Sequence, residues 1–478
     1  MAEVKTISIS EVDFQKKYYT RTESQSPAKV QEYAKSIEGG AFPPILLNQE
    51  NILLDGWHRW KAWLECKVET IDVEYLDTSG FLFDGEIDIH AIKRKAARTN
   101  FRHGQPQTEK ELKKLIRDEY RKKLDSLDNP GRAELKRQMA EDYSRSVRYV
   151  RDVTSRIDKD LKVELRETAF NMWMGCFDNQ AIADNIGFSR PAVSEFVDLL
   201  RIVRNGIRSV SDDLLENAQL TDIEPEFEEE EEDSTGLGVY KLDNRLMVKA
   251  NHIDENYKPP IYNIWKQQEK SEGITHFGNS EIGFLDNLLY LYTKPLDVVI
   301  DPFAGSGSTI DLCKSRLRRY LVSDRAPIDI RDDIRQHDIK DGVLSPPTWK
   351  DVKLIYLDPP YWKQAENKYS EDKEDLANME LQDFNKSLSC IIKKYAEKIK
   401  RARSNAYIAL IIQPTQWKAP DRVFTDHVGD MIKAVKLPVD MRFSVPYESQ
   451  QYNPQCVQWA KDNKKCLVLT REIIVWEV

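Results

Sequence analysis

Residues 297–309 read DVVIDPFAGSGST, and the fold of the C-terminal half turns on how this stretch is read. Val298, Val299 and Ile300 form an apolar run that stops at Asp301, small residues follow at Ala304, Gly305, Ser306 and Gly307, and a helical segment begins near Thr309. The pattern is a buried strand, a tight turn and a helix start. In a doubly wound parallel sheet this is where backbone comes close to a nucleotide-like ligand, at the carboxyl end of the first strand. The glycines matter because they leave room for that approach.

A second apolar strand lies downstream, in KLIYLDPPY at residues 353–361, ending in Asp358, Pro359, Pro360 and Tyr361. A glycine turn alone is weak evidence, but the pair of strand ends is specific. DPFAGSGST followed by DPPY resembles the amino-directed DNA methyltransferases, which use S-adenosylmethionine to modify adenine at N6 or cytosine at N4. That resemblance implies an α/β fold with a Rossmann-like methyltransferase sheet. It assigns cofactor contacts to Asp301, Pro302, Phe303, Gly305 and Gly307, and catalysis to Asp358, Pro359, Pro360 and Tyr361.

Between the two motifs, Leu321–Asp324 reads as a further strand ending in an acid about twenty residues past the glycines, where a carboxylate accepts hydrogen bonds from ribose hydroxyls. Asp338, in RQHDI, is placed at the end of a third strand, in reach of the cofactor's adenine. Lys363–Asp375 reads as a mobile polar loop able to close over DNA, or as a plain surface insertion. Gln413, Pro414 and Trp417 follow another strand end and border the base pocket, and residues 465–469 with 473–476 read as the closing strand pair.

The form of the DPPY stretch follows from the chemistry. An exocyclic amino group is a poor nucleophile because its lone pair is delocalised into the ring. If the Asp358 carboxylate and the Pro359 carbonyl accept its two hydrogens, the nitrogen becomes tetrahedral and the pair localises. Prolines hold those acceptors in place beforehand, a positioning and electrostatic effect. Tyr361 is suited to stacking on the base, and a base taken from a duplex must be flipped out to reach the site. The chain contains no Pro-Cys dipeptide, so the cysteine nucleophile of carbon-directed cytosine methyltransferases has no candidate.

The whole chain has 478 residues and a formal net charge of -9, long enough for two or three domains. That sum hides segregation. Residues 93–123 are rich in Lys and Arg, whereas 209–233 carry a run of glutamates from Glu228 to Glu232. The acidic stretch has too few apolar residues to order itself and reads as a solvated linker. Six cysteines lie scattered, with no metal-ligand spacing, which points to a reduced protein without a structural metal. No apolar run nears the ~20 residues of a membrane helix, so a soluble, cytoplasmic protein with no membrane partner is expected.

Toward the N-terminus the telling string is LLDGWHRWKAW, residues 53–63. A strand delivers Asp55 and Gly56 to a helix N-terminus, where free amides beside His58 and Arg59 can hold a phosphate; a structural turn with a surface arginine reads equally well. Trp57, Trp60 and Trp63 repeat at helical spacing, the pattern of core packing. Together with Tyr19-Thr20-Arg21, Phe42-Pro43-Pro44-Ile45 and Asn100-Phe101-Arg102-His103-Gly104, the string is similar to the N-terminal domain of ParB and its relatives. The resemblance implies an α+β domain and a nucleotide or phosphate site at Arg21, Asp55, Gly56, His58 and Arg59. It also leaves room for a homodimer through the N-terminal half.

Residues 108–204 are almost wholly helical in pattern. Within them NQAIADNIGFSRPAVSEFVDLL, residues 179–200, has the layout of a helix-turn-helix: Ala181, Ile182 and Ile186 inward, Gly187 at the turn, Ser189 capping, and Val193, Phe196 and Val197 packing back. As a DNA reader it would present Arg190, Ser194 and Glu195 to a major groove, with Gln180 and Ser189 on phosphates. An ordinary packed pair of helices is the alternative. A shorter echo spans 138–150, with Arg145, Arg148 and Arg151 close together if helical.

The sequence thus divides into a ParB-like domain (1–105), a helical region with the helix-turn-helix (106–208), an acidic linker (209–237) and a methyltransferase domain (238–478). It points to a DNA methyltransferase acting on adenine N6, DNA as partner and S-adenosylmethionine as cofactor. Cytosine N4, an RNA or protein amide, or nucleotide-dependent DNA binding of the ParB kind stand as alternatives.

Overall fold

A computed structural model describes residues 4–19, 26–37, 42–103, 108–209, 237–243, 246–251, 259–266, 282–328, 330–363, 366–367, 371–417, 423–446 and 454–478. The chain separates into two compact units, Met1–Glu164 and Leu165–Val478.

In the first unit β1 (Val4–Ser8), β2 (Ile45–Leu47), β3 (Leu53–Asp55) and β4 (Thr70–Tyr75) form a sheet in the order β1-β4-β2-β3. Helix α1 (Pro27–Ser36) precedes β2, and α2 (Trp57–Glu65) follows β3. Strands β2 and β3 are buried throughout because the sheet is covered on both sides. Ile45, Leu47 and Leu53 join a cluster with Trp63, against which Trp57 and Trp60 pack, so the tryptophan stripe is core. Leu46 and Leu54 instead meet Ile92 and Ala96 of α3 (Ile89–His103). A small hairpin, β5 (Leu82–Phe83) and β6 (Glu86–Ile87), lies between β4 and α3.

Helices α4 (Glu109–Lys123), α5 (Asn129–Asp142) and the start of α6 (Val147–Met174) pack around Ile116, Tyr120, Met139, Tyr143, Val150 and Val153. Buried ions tie this bundle together: the Arg94 guanidinium donates to Glu119 at 2.6 Å and to Asp142 at 2.8 Å, and Lys123 donates to Glu119 at 2.8 Å and Asp88 at 2.6 Å. Mutual pairing is what makes charges tolerable at such depth.

The second unit, after its leading helices, contains a hairpin outside its main sheet, β7 (Leu237–Asp243) with β8 (Leu246–Asn251). Its main sheet has seven strands: β9 (Val298–Asp301), β10 (Arg319–Asp324), β11 (Arg335–Gln336), β12 (Val352–Leu357), β13 (Tyr407–Ile412), β16 (Val439–Pro446) and β17 (Thr470–Glu477). They lie in the order β11-β10-β9-β12-β13-β17-β16. The first five run parallel, while β17 is antiparallel to both β13 and β16. Outside this sheet β14 (Thr415–Trp417) pairs with β15 (Val423–Thr425). The closing antiparallel pair is therefore β16 and β17, whereas 465–469, expected as a strand, lies ahead of β17 outside the sheet.

Side chains alternate across this sheet, as the period of a strand dictates. Val299, Val322, Leu354 and Ile411 face α9 (Ile282–Tyr292), α10 (Ser308–Ser315), α7 (Asn179–Ile186) and α8 (Arg190–Ser209). Val298, Ile300, Leu321, Ile355 and Leu410 face α11 (Leu381–Arg401) and α12 (His427–Val435). A last helix, α13 (Pro454–Asp462), precedes β17.

The helical stretch that the sequence groups as 106–208 divides by packing. Helices α4, α5 and the start of α6 belong to the first core, while Trp173, Ile182, Val193 and Val197 belong to the core of the parallel sheet. Two arginines fix this attachment. Arg319, 2% exposed, donates to the Trp173 carbonyl at 3.2 Å, lies 4.0 Å over its ring and pairs with Asp351 at 2.9 Å. Arg335 donates to the carbonyls of Gly175 and Cys176 at 2.8 and 3.0 Å. The Gly175 and Cys176 carbonyls just past α6 thereby gain a donor, and the Trp173 carbonyl, which accepts the Cys176 amide at 3.0 Å, gains a second. Most of the acidic segment expected as a linker, residues 210–236, lies outside the described residues.

Candidate active site

Three carboxylates gather at the carboxyl ends of adjacent parallel strands: Asp324 on β10, Asp301 on β9 and Asp358 just past β12. Asp301 is 2% exposed. One oxygen accepts the Phe303 amide at 2.8 Å and the other accepts the Thr309 hydroxyl at 2.6 Å. Burial pushes its carboxyl up to about 7, and the charges of Asp358 and Asp324 act in the same direction; the bonds from Thr309 and Phe303 oppose them. Asp301 thus braces the glycine turn from beneath, through both ends of it.

The turn itself needs glycine where φ is positive, at Gly305 (53°) and Gly307 (84°). A β-carbon at Gly307 would also sit 3.0 Å from the Arg331 guanidinium carbon. Gly307 opens α10, the Ala304 amide donates to the Ser323 carbonyl at 3.0 Å, and the Asp324 carboxylate accepts the Gly305 amide at 3.1 Å. Pro302 is buried and Phe303 half-buried. Asp324 is half-buried and its other oxygen accepts the Ala326 amide at 3.0 Å; with about four lone-pair sites per carboxylate, capacity remains for a ribose. Asp338 lies past β11, where it caps a short helical turn by accepting the Lys340 amide at 2.9 Å.

Asp358 and Pro360 are half-buried, Pro359 is buried, and the Tyr361 ring packs on the core of the sheet. Trp362 is buried, its indole donates to the Met379 carbonyl at 2.9 Å, and its own carbonyl accepts the Thr415 hydroxyl at 3.2 Å. Beyond it the Lys363 amide donates to Ala377 at 3.1 Å, and its ammonium reaches Glu366 at 2.8 Å and the Asn378 carbonyl at 3.0 Å. The Asn367 amide donates to the Asn378 side chain at 2.8 Å; residues 364–365 and 368–370 of the segment expected as a mobile loop or a surface insertion lie outside the described residues. Gln413 is buried at the end of β13, and the side chain of Trp417 lies outside the described residues.

In the first unit the predicted phosphate site is largely committed to internal contacts. Arg59 is buried, donating to the carbonyls of Pro43 and Pro44 at 2.6 and 2.9 Å and pairing with Asp55 at 3.3 Å. His58 accepts the Ser26 amide at 3.2 Å. Gly56 takes φ 96°, and a β-carbon there would collide with Ile45 at 2.5 Å. Neither a surface arginine nor a free phosphate ligand describes Arg59; it ties the Pro43-Pro44 turn to α2. Arg21 lies outside the described residues.

The helix pair α7 and α8 has the turn its sequence requires, with Gly187 at φ 66°. Gln180 donates to Asp184 at 2.7 Å, and Ser194 accepts Asn179 at 3.0 Å, so both are engaged within the pair. Ser189 and Arg190 are exposed, in the company of Asp178, Asp184, Glu195 and Asp198. That surface is mainly acidic. The shorter echo has the opposite character: α5 and α6 meet at a turn with Ser144 at φ 50°, and Arg145, Arg148 and Arg151 are all exposed there. Arg145 and Tyr149 both contact Glu109, at 3.4 and 2.7 Å.

Several contributors escape sequence reading. Thr309 is visible only as the end of a glycine turn, and Thr415 and His427 carry no spacing that links them to Trp362. Arg319 and Arg335 look like ordinary strand arginines.

Residues 213–327 match the family model described as N6/N4 DNA methylase. The match takes in the glycine turn and Asp324 and ends before Asp358. No curated protein matches the chain. Among solved structures, a pNOB8-like ParB N-domain is similar over 33% of this chain and 70% of its own, at 14% identity and TM-score 0.25. The Caulobacter crescentus chromosome-partitioning protein ParB complexed with CTP-gamma-S is similar over 32% and 76%, at 12% identity and TM-score 0.18. A SAM dependent methyltransferase from Archaeoglobus fulgidus is similar over 41% and 95%, at 13% identity and TM-score 0.23. At such scores these three likenesses carry no argument. The stretch that holds Asp301, the glycine turn and Asp324 is thus similar to the DNA methylases of the N6/N4 model.

Proposed function

We propose that this chain transfers the methyl group of S-adenosylmethionine to N6 of adenine in DNA. The observation that carries the reading is the meeting of Asp301, Asp324 and the Asp358-Pro359-Pro360-Tyr361 stretch at the ends of three neighbouring parallel strands, the place where open α/β sheets take ligands. Adenine is preferred over cytosine because DPPY resembles the adenine enzymes.

The residues suit the cofactor. Positive-φ glycines leave the turn open to a close approach, and Asp324 keeps lone pairs for ribose hydroxyls while bracing Gly305. When bound, the cofactor supplies an electrophilic methyl group on a sulfonium. The chain does the rest. Asp358 and the Pro359 carbonyl accept the two amino hydrogens and localise the nitrogen lone pair, and Tyr361 stacks on the flipped base. Proline geometry and the fastening of Trp362 fix these acceptors in advance.

DNA contact is better supported at the α5–α6 turn than at the α7–α8 pair. Phosphates attract cations, and Arg145, Arg148 and Arg151 are exposed at the former, whereas the exposed side chains described at the latter include four carboxylates beside Arg190 in the sequence, Asp178, Asp184, Glu195 and Asp198. In this reading the ParB-like unit serves as a DNA-binding module. A nucleotide there would be held without Arg59, which its contacts already occupy.

The test is transfer of labelled methyl from S-adenosylmethionine to duplex DNA, with nucleoside digestion, for the native chain and Asp358→Ala. N6-methyl-2′-deoxyadenosine lost in the variant supports the reading. N4-methylcytosine would replace the base and keep the mechanism, and transfer to RNA or protein alone would overturn it.

A further inference from the structure

Behind the DPPY stretch lies a buried polar chain that nothing in the motif requires. The carboxyl ends of β12 and β13 lie side by side, so the residues after Tyr361 meet those after Gln413. Thr415 is 1% exposed, and its hydroxyl donates to the Trp362 carbonyl at 3.2 Å. The same hydroxyl oxygen lies 3.5 Å from Nε2 of His427, itself 1% exposed at the start of α12. The imidazole also meets the Trp362 indole edge-on, with ring centres 5.7 Å apart at 69°, and the Phe384 ring at 5.7 Å and 85°.

The direction of the chain follows from counting hydrogens. A threonine hydroxyl has one hydrogen. With it directed to the Trp362 carbonyl, the oxygen can only accept from the ring, so Nε2 carries the proton. Burial lowers the pKa of this histidine and favours a neutral ring, against a hydrogen bond of the ring to the Gln413 backbone and the charges of Asp426 and Asp430. Nδ1 has no hydrogen-bond partner among the described residues, the condition a bare nitrogen tolerates better than an N–H.

We infer that His427 is a positioning residue for methyl transfer, acting through Thr415 to fix the Trp362 carbonyl and through its ring edge to fix the indole. Trp362 directly follows Tyr361, so its backbone sets where the Tyr361 ring and the Pro359 carbonyl stand relative to the target base. The indole is held at its other end by the Met379 carbonyl, and the imidazole and Thr415 add constraints on its ring and its carbonyl. The inference rests on the methyltransferase reading above.

Thr415→Val removes the hydroxyl and keeps the volume; Thr415→Ser restores the hydroxyl. Steady-state transfer to duplex DNA should show kcat down about tenfold to a hundredfold in Thr415→Val, the scale of a misplaced reacting group, with affinity for S-adenosylmethionine unchanged by titration calorimetry. Thr415→Ser should recover most of the rate. His427→Gln, with a donor at a similar reach, should fall between them. A merely structural role would instead lower the melting temperature and cofactor affinity together, with no recovery in Thr415→Ser. Nitrogen-15 spectra of the histidines in the full chain should show His427 neutral with its proton on Nε2 at pH 7. A proton on Nδ1 alone, or an unchanged kcat in Thr415→Val, would overturn the inference. Absence of transfer by the native chain would remove the methyltransferase reading and this role with it, an outcome distinct from native transfer that the variants leave intact.

Discussion

The Asp324 carboxylate accepts the Gly305 amide at 3.1 Å, across the step from one parallel strand to the next. One side chain therefore both shapes the glycine turn and faces the place where a ribose would lie. Asp324→Ala removes a charge-assisted bond of about 1.5–3 kcal/mol. Affinity for S-adenosylmethionine, read by calorimetry, should fall by roughly ten- to a hundredfold. An unchanged dissociation constant would place the cofactor elsewhere.

Asp358→Ala should act on the other half of the reaction. Loss of an acceptor aimed at the reacting amino group costs about 10²–10³ in kcat by analogy with removing one oxyanion-hole donor. Binding of S-adenosylmethionine should stay within a few-fold of the native chain. Equal loss of both would mean that Asp358 holds the cofactor rather than the base.

Asp301 makes stability depend on pH. Its folded-state carboxyl is raised to about 7 from an ordinary 3.8, so between those values the folded chain keeps a proton that the unfolded chain releases. Stability from this group is greatest at low pH and is lost as pH rises through about 7. Asp301→Asn carries no such penalty. Its melting temperature relative to the native chain should therefore be more favourable at pH 8 than at pH 5, and a difference independent of pH would contradict a raised carboxyl.

The pairing of Arg319 with Asp351, both buried, predicts an asymmetric mutational response. Arg319→Leu removes the buried cation from Asp351 and one donor from the Trp173 carbonyl, which keeps the Cys176 amide, and breaking such a pair costs about 3–5 kcal/mol. Arg319→Leu combined with Asp351→Leu should recover a large part of that in chemical denaturation. No recovery would assign the effect to the carbonyl bond and the Trp173 ring instead.

Arg145, Arg148 and Arg151 supply a salt-sensitive prediction. If they neutralise phosphates, replacing all three by Ala should weaken DNA binding and flatten the plot of log affinity against log salt, by about 0.9 for each phosphate left without its arginine. Arg190→Ala should change that slope little. The reverse ranking would return DNA binding to the α7–α8 pair.

Sequence alone determined the strand ends. An apolar run stopped by an acid and followed by glycines or prolines has one stable place in an α/β sheet, so Asp301, Asp324 and Asp358 could be located from local pattern. The tryptophan stripe in α2 and the glycine turn of α7–α8 were legible for the same reason, since each depends on residues a few positions apart. What only the tertiary structure decided depends on distant pairs. Arg59 read as a phosphate ligand or a surface arginine from spacing; only the tertiary structure shows it buried, with the Pro43 and Pro44 carbonyls beside it. The exposure of Arg145, Arg148 and Arg151 at the α5–α6 turn became visible only in the tertiary structure. Likewise β16 displaced 465–469 from the sheet because register against β17, not apolar content, selects an edge strand. Thr415 and His427 reach Trp362 only because β12 and β13 end side by side, a proximity that no spacing along the chain encodes.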